Sequence, residues 1–196
     1  MSAAAPRLIL ASASPRRRRL LAEANFDFKV IVPAVEEVSP RELTIREITS
    51  WNALRKGLAV ARANPDAIVL AADTLVALGR EVIGKPTDLA EARRILARLS
   101  GRAHTVVSAV FLGHGASGRS ETFAVASQVV FRKWGRRQIE DYLGQINPLD
   151  KAGAYAAQGR GGAIVRRITG SRNNVIGLPL EEIRPALARF GVRPHA

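Results

Sequence analysis

Three carboxylates, Glu36, Glu37 and Asp73, fall where a hard cation bound to phosphate oxygens would need them. Asp73 follows the apolar run 67–72, which is typical of a strand covered on both faces. α/β sheets place their ligands at the ends of such strands. Because Thr74 and another β-rich stretch follow, Asp73 has no helix to cap. It could hold a metal or accept a proton from water. The alternatives are a turn residue at Asp73 and a solvated loop at Glu36-Glu37.

A second polar group, Ser12, Ser14, Arg16 and Arg17, falls within six residues. Ser14 followed by Pro15 predicts a helix start, with the serine as N-cap and the proline at the first helical position. Two hydroxyls, two guanidinium groups and a helix N-terminus could together bind an anion such as a phosphate. A capped surface helix with a basic face is equally consistent with this local pattern.

Residues 79–85 match the first seven positions of the phosphate-binding P-loop, Gly-x4-Gly-Lys. The next residue is Pro86, where a P-loop needs a hydroxyl for magnesium and a backbone N–H for phosphate. Proline supplies neither. The glycines also fall in a hairpin that is expected to turn at Gly79, not between a strand and a helix. We therefore reject the P-loop interpretation and keep Lys85 alone as a candidate for phosphate contact.

A glycine-rich segment surrounds Tyr155 and Gln158 after the pair Asp150-Lys151. Glycine allows the backbone to approach a ligand closely. The same composition is typical of a mobile connector, and the pattern does not choose between the two.

Composition excludes several chemistries. The chain has no cysteine, which rules out disulfides, cysteine-ligated zinc, iron–sulfur clusters and thiol nucleophiles. Its histidines, His104, His114 and His195, lack the spacing of a metalloprotease helix, so any metal must be held by carboxylates. With 196 residues, 47% hydrophobic and 24% charged, the sequence predicts a single domain over residues 1–196.

The charge balance favours polyanionic partners, since 30 Lys and Arg against 17 Asp and Glu give a net charge of +13. The arginines are nevertheless spread along the chain, and aromatic residues make up only 5%, which leaves few stacking platforms for bases. We expect no stable nucleic-acid complex. The apolar runs are shorter than the ~20 residues of a spanning helix, and the N-terminus has no secretory pattern. A cytoplasmic location without membrane attachment is expected.

Hydrophobic periodicity predicts a mixed α/β (α+β) fold with a central mixed, twisted sheet and flanking helices. Strands are expected at residues 7–11, 28–32, 67–72, 104–112, 121–131 and 163–168, with a hairpin over 75–83. Helices are expected from Pro15, and over 44–63, 89–99, 136–143 and 180–190. The apolar face of the 44–63 helix is predicted at Ile45, Ile48, Leu54 and Leu58.

Taken in order, these motifs resemble the Maf family of nucleoside triphosphate pyrophosphatases, also called septum formation inhibitors. The resemblance extends from residue 8 to about 190 and rests on eight segments, at 8–17, 35–37, 72–74, 84–86, 99–101, 150–155, 158–159 and 177–179. It implies a fold similar to the inosine triphosphate pyrophosphatases, with two lobes around a deep cleft. It also implies cleavage between the α and β phosphates, dependent on Mg²⁺ or Mn²⁺.

The resemblance assigns roles by position. Asp73 matches the family's proton acceptor, and Glu37 with Asp73 matches metal ligands. Arg17, Lys56 and Lys85 match catalytic cations around the triphosphate, and Ser12 and Ser14 match substrate contacts. Arg16, Thr74 and Gln158 match the specificity positions of the group that prefers dTTP and UTP, as opposed to 7-methyl-GTP.

The resemblance further implies a homodimer. A competing hypothesis is a non-enzymatic protein that inhibits septum formation through protein or nucleic-acid contacts. Such a protein would not need a full set of cleft carboxylates and cations, and pyrophosphate release with and without magnesium separates the two. Residues 51–57 and 171–174 depart from the commoner family pattern.

Overall fold

In the computed structural model, which describes residues 7–195, seven strands form one mixed sheet. The strands are β1 (Leu8–Ala11), β2 (Lys29–Ile31), β3 (Ile68–Leu78), β4 (Glu81–Ile83), β5 (Ala103–His114), β6 (Arg119–Phe131) and β7 (Val165–Thr169). Their order is β2-β1-β3-β5-β6-β7, with β4 paired to β3. β1 is parallel to β2 and β3, and the remaining pairs are antiparallel. The predicted mixed α/β class is confirmed.

Six α-helices flank this sheet within the described residues. They are α1 (Pro15–Glu23), α2 (Ile45–Ala63), α3 (Leu89–Leu99), α4 (Arg136–Leu143), α5 (Arg172–Ile176) and α6 (Leu180–Arg189). The sequence did not predict α5. Part of the expected 163–168 strand is instead a 3₁₀ turn, Gly159–Ile164, so β7 begins later. No helix in residues 7–195 has the length and apolar character needed to cross a bilayer.

Helix starts follow their capping residues. Ser14 Oγ accepts from the Arg17 N–H with Pro15 at the first helical position, as predicted. Thr44 and Glu47 form a reciprocal capping box at α2. The cap of α1 sets the direction of the side chains in its first turn, and Arg17 is one of them.

β3 does not end at residue 72 as expected. It continues through Asp73 to Leu78 because β5 pairs with residues 68–77 along one edge. On the other edge β1 covers 68–71 and β4 covers 76–78. Residues 72–75 therefore have no strand partner on that edge, and the candidate site opens there.

The predicted inner face of α2 is partly wrong. Ile48 is buried as expected, but Leu54 is only half-buried and Leu58 is exposed. The helix instead buries a face that includes Asn52 and Lys56, and the Lys56 ammonium lies in the cleft lining beside Asp73. This face approaches β5 so closely that a Cβ on Gly57 would lie 1.9 Å from the Phe111 ring. Close packing of small residues, not a leucine stripe, orients α2.

Candidate active site

A cleft of about 350 Å³ opens at the uncovered edge of β3. Its walls are the loop from β1 into α1, the acidic loop before α2, Lys85 shortly after β4, and the segment following α4. The ten residues to which the family resemblance assigns roles all line it: Ser12, Ser14, Arg16, Arg17, Glu37, Lys56, Asp73, Thr74, Lys85 and Gln158. Glu36, the third carboxylate that the sequence suggested for a cation, is not among the lining residues. The fold thus brings together side chains that are up to 146 positions apart.

The centre of the cleft is a buried lysine between two carboxylates. Lys56 Nζ lies 2.7 Å from Asp73 Oδ1 and 2.6 Å from Glu37 Oε1. Lys85 Nζ approaches the other Glu37 oxygen, Oε2, at 3.0 Å. Partial burial raises the pKa of Glu37, but hydrogen bonds and charge from Lys56 and then Lys85 outweigh it and lower the pKa to about 2. Glu37 is therefore ionised at neutral pH.

Asn52 fixes the acidic loop in position, and sequence reasoning did not single it out as a functional residue. Its amide accepts from the Val38 N–H at 3.0 Å and donates to the Val38 carbonyl at 2.9 Å, in the manner of a neighbouring strand. Arg55 adds a hydrogen bond to the Glu36 carbonyl at 2.9 Å. α2 thereby holds both the loop that carries Glu37 and the lysine that pairs with it.

Arg17 is held by neutral oxygens. Nε donates to the Gly177 carbonyl and Nη1 to the Ala72 carbonyl, each at 2.8 Å, and Nη2 donates to Thr74 Oγ1 at 3.0 Å. Nη1 also lies 3.4 Å from Ser12 Oγ. Burial lowers the pKa of Arg17, and the nearby Asp73 and Glu37 charges act in the opposite direction. An arginine remains protonated throughout the physiological range, so this fixed cation is available to an anion in the cleft.

Arg16, one of the three residues matched to specificity positions, is paired with another protein side chain. Its Nη1 donates to Asp150 Oδ2 at 2.7 Å and its Nη2 to the Asp150 carbonyl at 3.1 Å. Lys151 Nζ also contacts Asp150, at 2.5 Å. Burial raises the pKa of Asp150, but hydrogen bonds from Lys151 and Arg16 outweigh this effect and hold the pKa below its usual value. The Arg16–Asp150 pair joins α1 to the cleft wall that follows α4. Nothing in the sequence indicated this pair beyond the Asp150-Lys151 dipeptide.

Ser12, Ser14, Thr74 and Gln158, the remaining predicted substrate contacts, differ in how far the protein itself engages their polar groups. Ser12 is buried and its Oγ accepts from the Ser14 N–H at 3.1 Å. Thr74 Oγ1 bonds to Arg17 and Ser108, so its hydroxyl is engaged by the protein and does not project freely toward a base. Gln158 is half-buried in the cleft wall, where its amide can offer both a donor and an acceptor.

The carboxylates of the cleft could supply part of the coordination shell of a divalent cation. Within residues 7–195 no cluster of three or more Asp, Glu, His or Cys side chains could form a metal cage by itself. Mg²⁺ usually takes one or two carboxylates and completes its shell with phosphate oxygens and water. Glu37 and Asp73, both bound to Lys56 Nζ, supply such a pair at the cleft centre.

Comparisons with known proteins identify relatives of this chain. The family model described as Maf-like protein matches residues 7–190. The dTTP/UTP pyrophosphatase of Anaeromyxobacter dehalogenans strain 2CP-1 is 47% identical over 190 residues, covering 95% of each chain. That of Myxococcus xanthus is 45% identical over 185 residues, covering 94% of this chain and 93% of the relative.

Among solved structures, the Staphylococcus aureus Ham1 protein has a similar fold, with a TM-score of 0.50 and 16% identity over 94% of this chain and 99% of that one. The family model covers most of the chain, and the sequence identity to these relatives extends over more than nine-tenths of it. This chain belongs to the Maf-like protein family.

Proposed function

We propose that this chain hydrolyses nucleoside triphosphates, with dTTP and UTP preferred, to the monophosphate and pyrophosphate. The observation that carries the proposal is the pair formed by buried Asp73 and Lys56 in a cleft rich in cations. The names of the relatives from Anaeromyxobacter and Myxococcus support the choice of substrate.

The charge of the cleft suits a triphosphate. Among its lining residues are five cationic side chains, Arg16, Arg17, Lys56, Lys85 and Lys151, and three carboxylates, Glu37, Asp73 and Asp150. The resulting net charge of +2 leaves about half of a triphosphate's roughly four negative charges uncompensated. One divalent cation would complete the balance, which is consistent with a metal that enters with the nucleotide.

Asp73 has the position required of a proton acceptor. One carboxylate oxygen is bound by Lys56 at 2.7 Å, while the other lies 3.4 Å from Asn52 Nδ2 and keeps acceptor capacity. In the proposed reaction, a water molecule whose proton passes to Asp73 attacks the α-phosphorus, the bond to the bridging oxygen breaks, and pyrophosphate leaves with that oxygen. Phosphoryl transfer depends on positioning and charge neutralisation. Arg17, held by four oxygens, would supply both, and the more exposed Lys85 would add charge neutralisation.

Glu37 and Asp73 are the residues that would hold Mg²⁺ or Mn²⁺. The metal would supply charge neutralisation at the phosphate oxygens. Lys56 keeps the two carboxylates near each other, since each has an oxygen within 2.7 Å of its ammonium nitrogen. Without this lysine the two like charges would repel.

The test is pyrophosphate release from dTTP, UTP, CTP, ATP, GTP and 7-methyl-GTP, with magnesium and with excess chelator. We expect magnesium-dependent release, fastest with dTTP and UTP. Absence of release from every nucleotide would overturn the proposal and favour the non-enzymatic alternative. The homodimer implied by the family resemblance remains a prediction that gel filtration with light scattering would test. The cytoplasmic location expected from the sequence remains a prediction that cell fractionation would test.

A further inference from the structure

A chain of hydrogen bonds leads from the Arg17 guanidinium into the protein interior. Arg17 Nη2 donates to Thr74 Oγ1 at 3.0 Å, and Thr74 Oγ1 lies 2.8 Å from Ser108 Oγ. Ser108 Oγ donates to the backbone carbonyl of Asn174 at 2.9 Å. Ser108 and Asn174 are both completely buried. The cleft cation is thus connected to a buried anchor that lies outside the cleft lining.

The direction of each proton in this chain can be deduced. A hydroxyl has one proton to donate, and Ser108 gives its proton to the Asn174 carbonyl. In the 2.8 Å pair Thr74 must therefore be the donor and Ser108 the acceptor. The Gly177 carbonyl, at 3.5 Å from Thr74 Oγ1, is too distant to compete well for that proton. Thr74 consequently accepts from Arg17 and has no proton left for a base carbonyl.

Asn174 makes the anchor rigid. Its Oδ1 accepts from the Ser108 N–H at 3.1 Å, and its Nδ2 donates to the Val106 carbonyl at 3.1 Å and to Ser127 Oγ at 2.9 Å. A buried amide with all these partners is costly to displace. The helix α5, which carries Asn174, is followed by its C-cap Gly177, whose carbonyl accepts from Arg17 Nε at 2.8 Å. Two acceptors of Arg17, the Gly177 carbonyl and Thr74 Oγ1, therefore depend on the position of α5.

We propose that Thr74, Ser108 and Asn174 are positioning residues that fix the Arg17 guanidinium for the phosphates, and that Thr74 acts through Arg17 and does not read the base. The inference deepens the proposed function and rests on it. Arg17 has five N–H groups, and its contacts to Gly177, Ala72, Ser12 and Thr74 engage four of them. The remaining one, on Nη2, is oriented by the hydrogen bond to Thr74.

The proposal has a consequence that a base-reading threonine would not share. Misplacing a phosphate cation slows the reaction whatever base the nucleotide carries, because every nucleotide presents the same triphosphate. Thr74→Val removes the acceptor for Arg17 and should lower kcat roughly 10- to 100-fold for dTTP, UTP and ATP alike. Thr74→Ser keeps the hydroxyl and should stay within about threefold of wild type.

The experiment measures kcat and KM of wild type, Thr74→Val, Thr74→Ser, Ser108→Ala and the Thr74→Val/Ser108→Ala double variant on those three nucleotides. Thr122→Val, at an exposed position of β6, is the control for the loss of a threonine hydroxyl. Thermal unfolding confirms that each variant is folded. We expect each variant to lose the same factor in kcat on all three nucleotides. The double variant should be no slower than Thr74→Val, because both substitutions break the same chain of hydrogen bonds.

A change of more than about fivefold in the dTTP-to-ATP ratio of kcat/KM for Thr74→Val would overturn the inference, as would losses that multiply in the double variant. Either result in an active enzyme leaves the proposed function intact. A wild-type chain that hydrolyses no nucleoside triphosphate would overturn the proposed function and this inference together.

Discussion

Lys56 Nζ and Asp73 Oδ1 lie 2.7 Å apart, and the two side chains are only 8% and 4% exposed. A buried charge is tolerated when it is paired and hydrogen-bonded. Lys56 meets that condition by binding Asp73 and Glu37 together, and Asp73 meets it through Lys56 and the longer contact to Asn52. The same pairing that makes these charges stable orients the Asp73 carboxylate in the cleft.

Replacing Asp73 with asparagine should abolish most activity while keeping the fold. The amide is nearly the same size but neither accepts a proton nor binds a metal as a carboxylate does, so kcat should fall by at least ~10²-fold. Steady-state pyrophosphate release gives the measurement. Asp66→Asn, at an exposed position outside the cleft, is the matched control and should behave as wild type. Near-normal turnover by folded Asp73→Asn would exclude both roles of this carboxylate.

Replacing Lys56 with methionine should destabilise the protein, because it leaves Asp73 buried without its partner. Removing one member of a buried ion pair typically costs about 3–5 kcal/mol of unfolding free energy. Adding Asp73→Asn should recover part of that loss, since the amide carries no charge to leave unpaired. Urea unfolding of the two single variants and the double variant measures the coupling. A double variant no more stable than Lys56→Met would contradict the assignment of the loss to the buried charge.

Stability should also depend on pH through Glu37. Its pKa falls from 4.5 to about 2 on folding, so the unfolded chain binds more protons between those values. The stabilisation from Glu37 is therefore complete above pH 4.5 and is lost as the pH falls toward 2. The difference in unfolding free energy between wild type and Glu37→Gln should narrow across this window in urea titrations. Glu36→Gln controls for the loss of a neighbouring carboxylate, and an unchanged Glu37→Gln difference would contradict the pairing with Lys56 and Lys85.

Much of the fold could be predicted because its signals are local, whereas the membership of the cleft was predicted largely through the family resemblance. Ser14-Pro15 marks the start of α1, and apolar runs mark the strands. The contacts of the site residues were not predictable, since they depend on partners distant in sequence. Arg16 is paired with Asp150, and Thr74 with Ser108, through contacts across 134 and 34 positions. The buried face of α2 was misjudged because Lys56 and Asn52 are polar, and their burial requires partners that periodicity does not reveal.

Glu37 should set the metal requirement of the reaction. If it shares a divalent cation with Asp73 and the phosphates, Glu37→Gln should raise the Mg²⁺ concentration for half-maximal rate. Glu36→Gln, whose side chain lies outside the cleft lining, is the matched control and should leave the metal titration unchanged. Full wild-type activity in excess chelator would contradict the metal requirement. An unshifted titration for Glu37→Gln would remove only Glu37 from the metal shell.

Gln158 should carry the direct recognition of the base. It lies half-buried in the cleft wall, and its amide can pair with the O4 and N3–H edge that uracil and thymine share. Arg16 is held by Asp150, and Thr74 is hydrogen-bonded to Arg17 and Ser108, so we do not expect either side chain to contact the base directly. A buried polar group left unpaired costs about 1–3 kcal/mol, so a mismatched base should lose roughly 5- to 150-fold in kcat/KM.

Gln158→Glu tests this assignment, because the carboxylate loses the amide donor and places an acceptor against the O4 acceptor. We expect kcat/KM to fall more for dTTP and UTP than for ATP and GTP, and wild type to prefer the pyrimidine nucleotides to 7-methyl-GTP. Gln145→Glu, at an exposed position outside the cleft lining, adds the same charge and should leave the preference unchanged. Equal slowing of every nucleotide by Gln158→Glu would show that the new charge repels the triphosphate and would remove Gln158 from base recognition. A wild type fastest on 7-methyl-GTP would overturn the pyrimidine preference itself while leaving triphosphate hydrolysis in place.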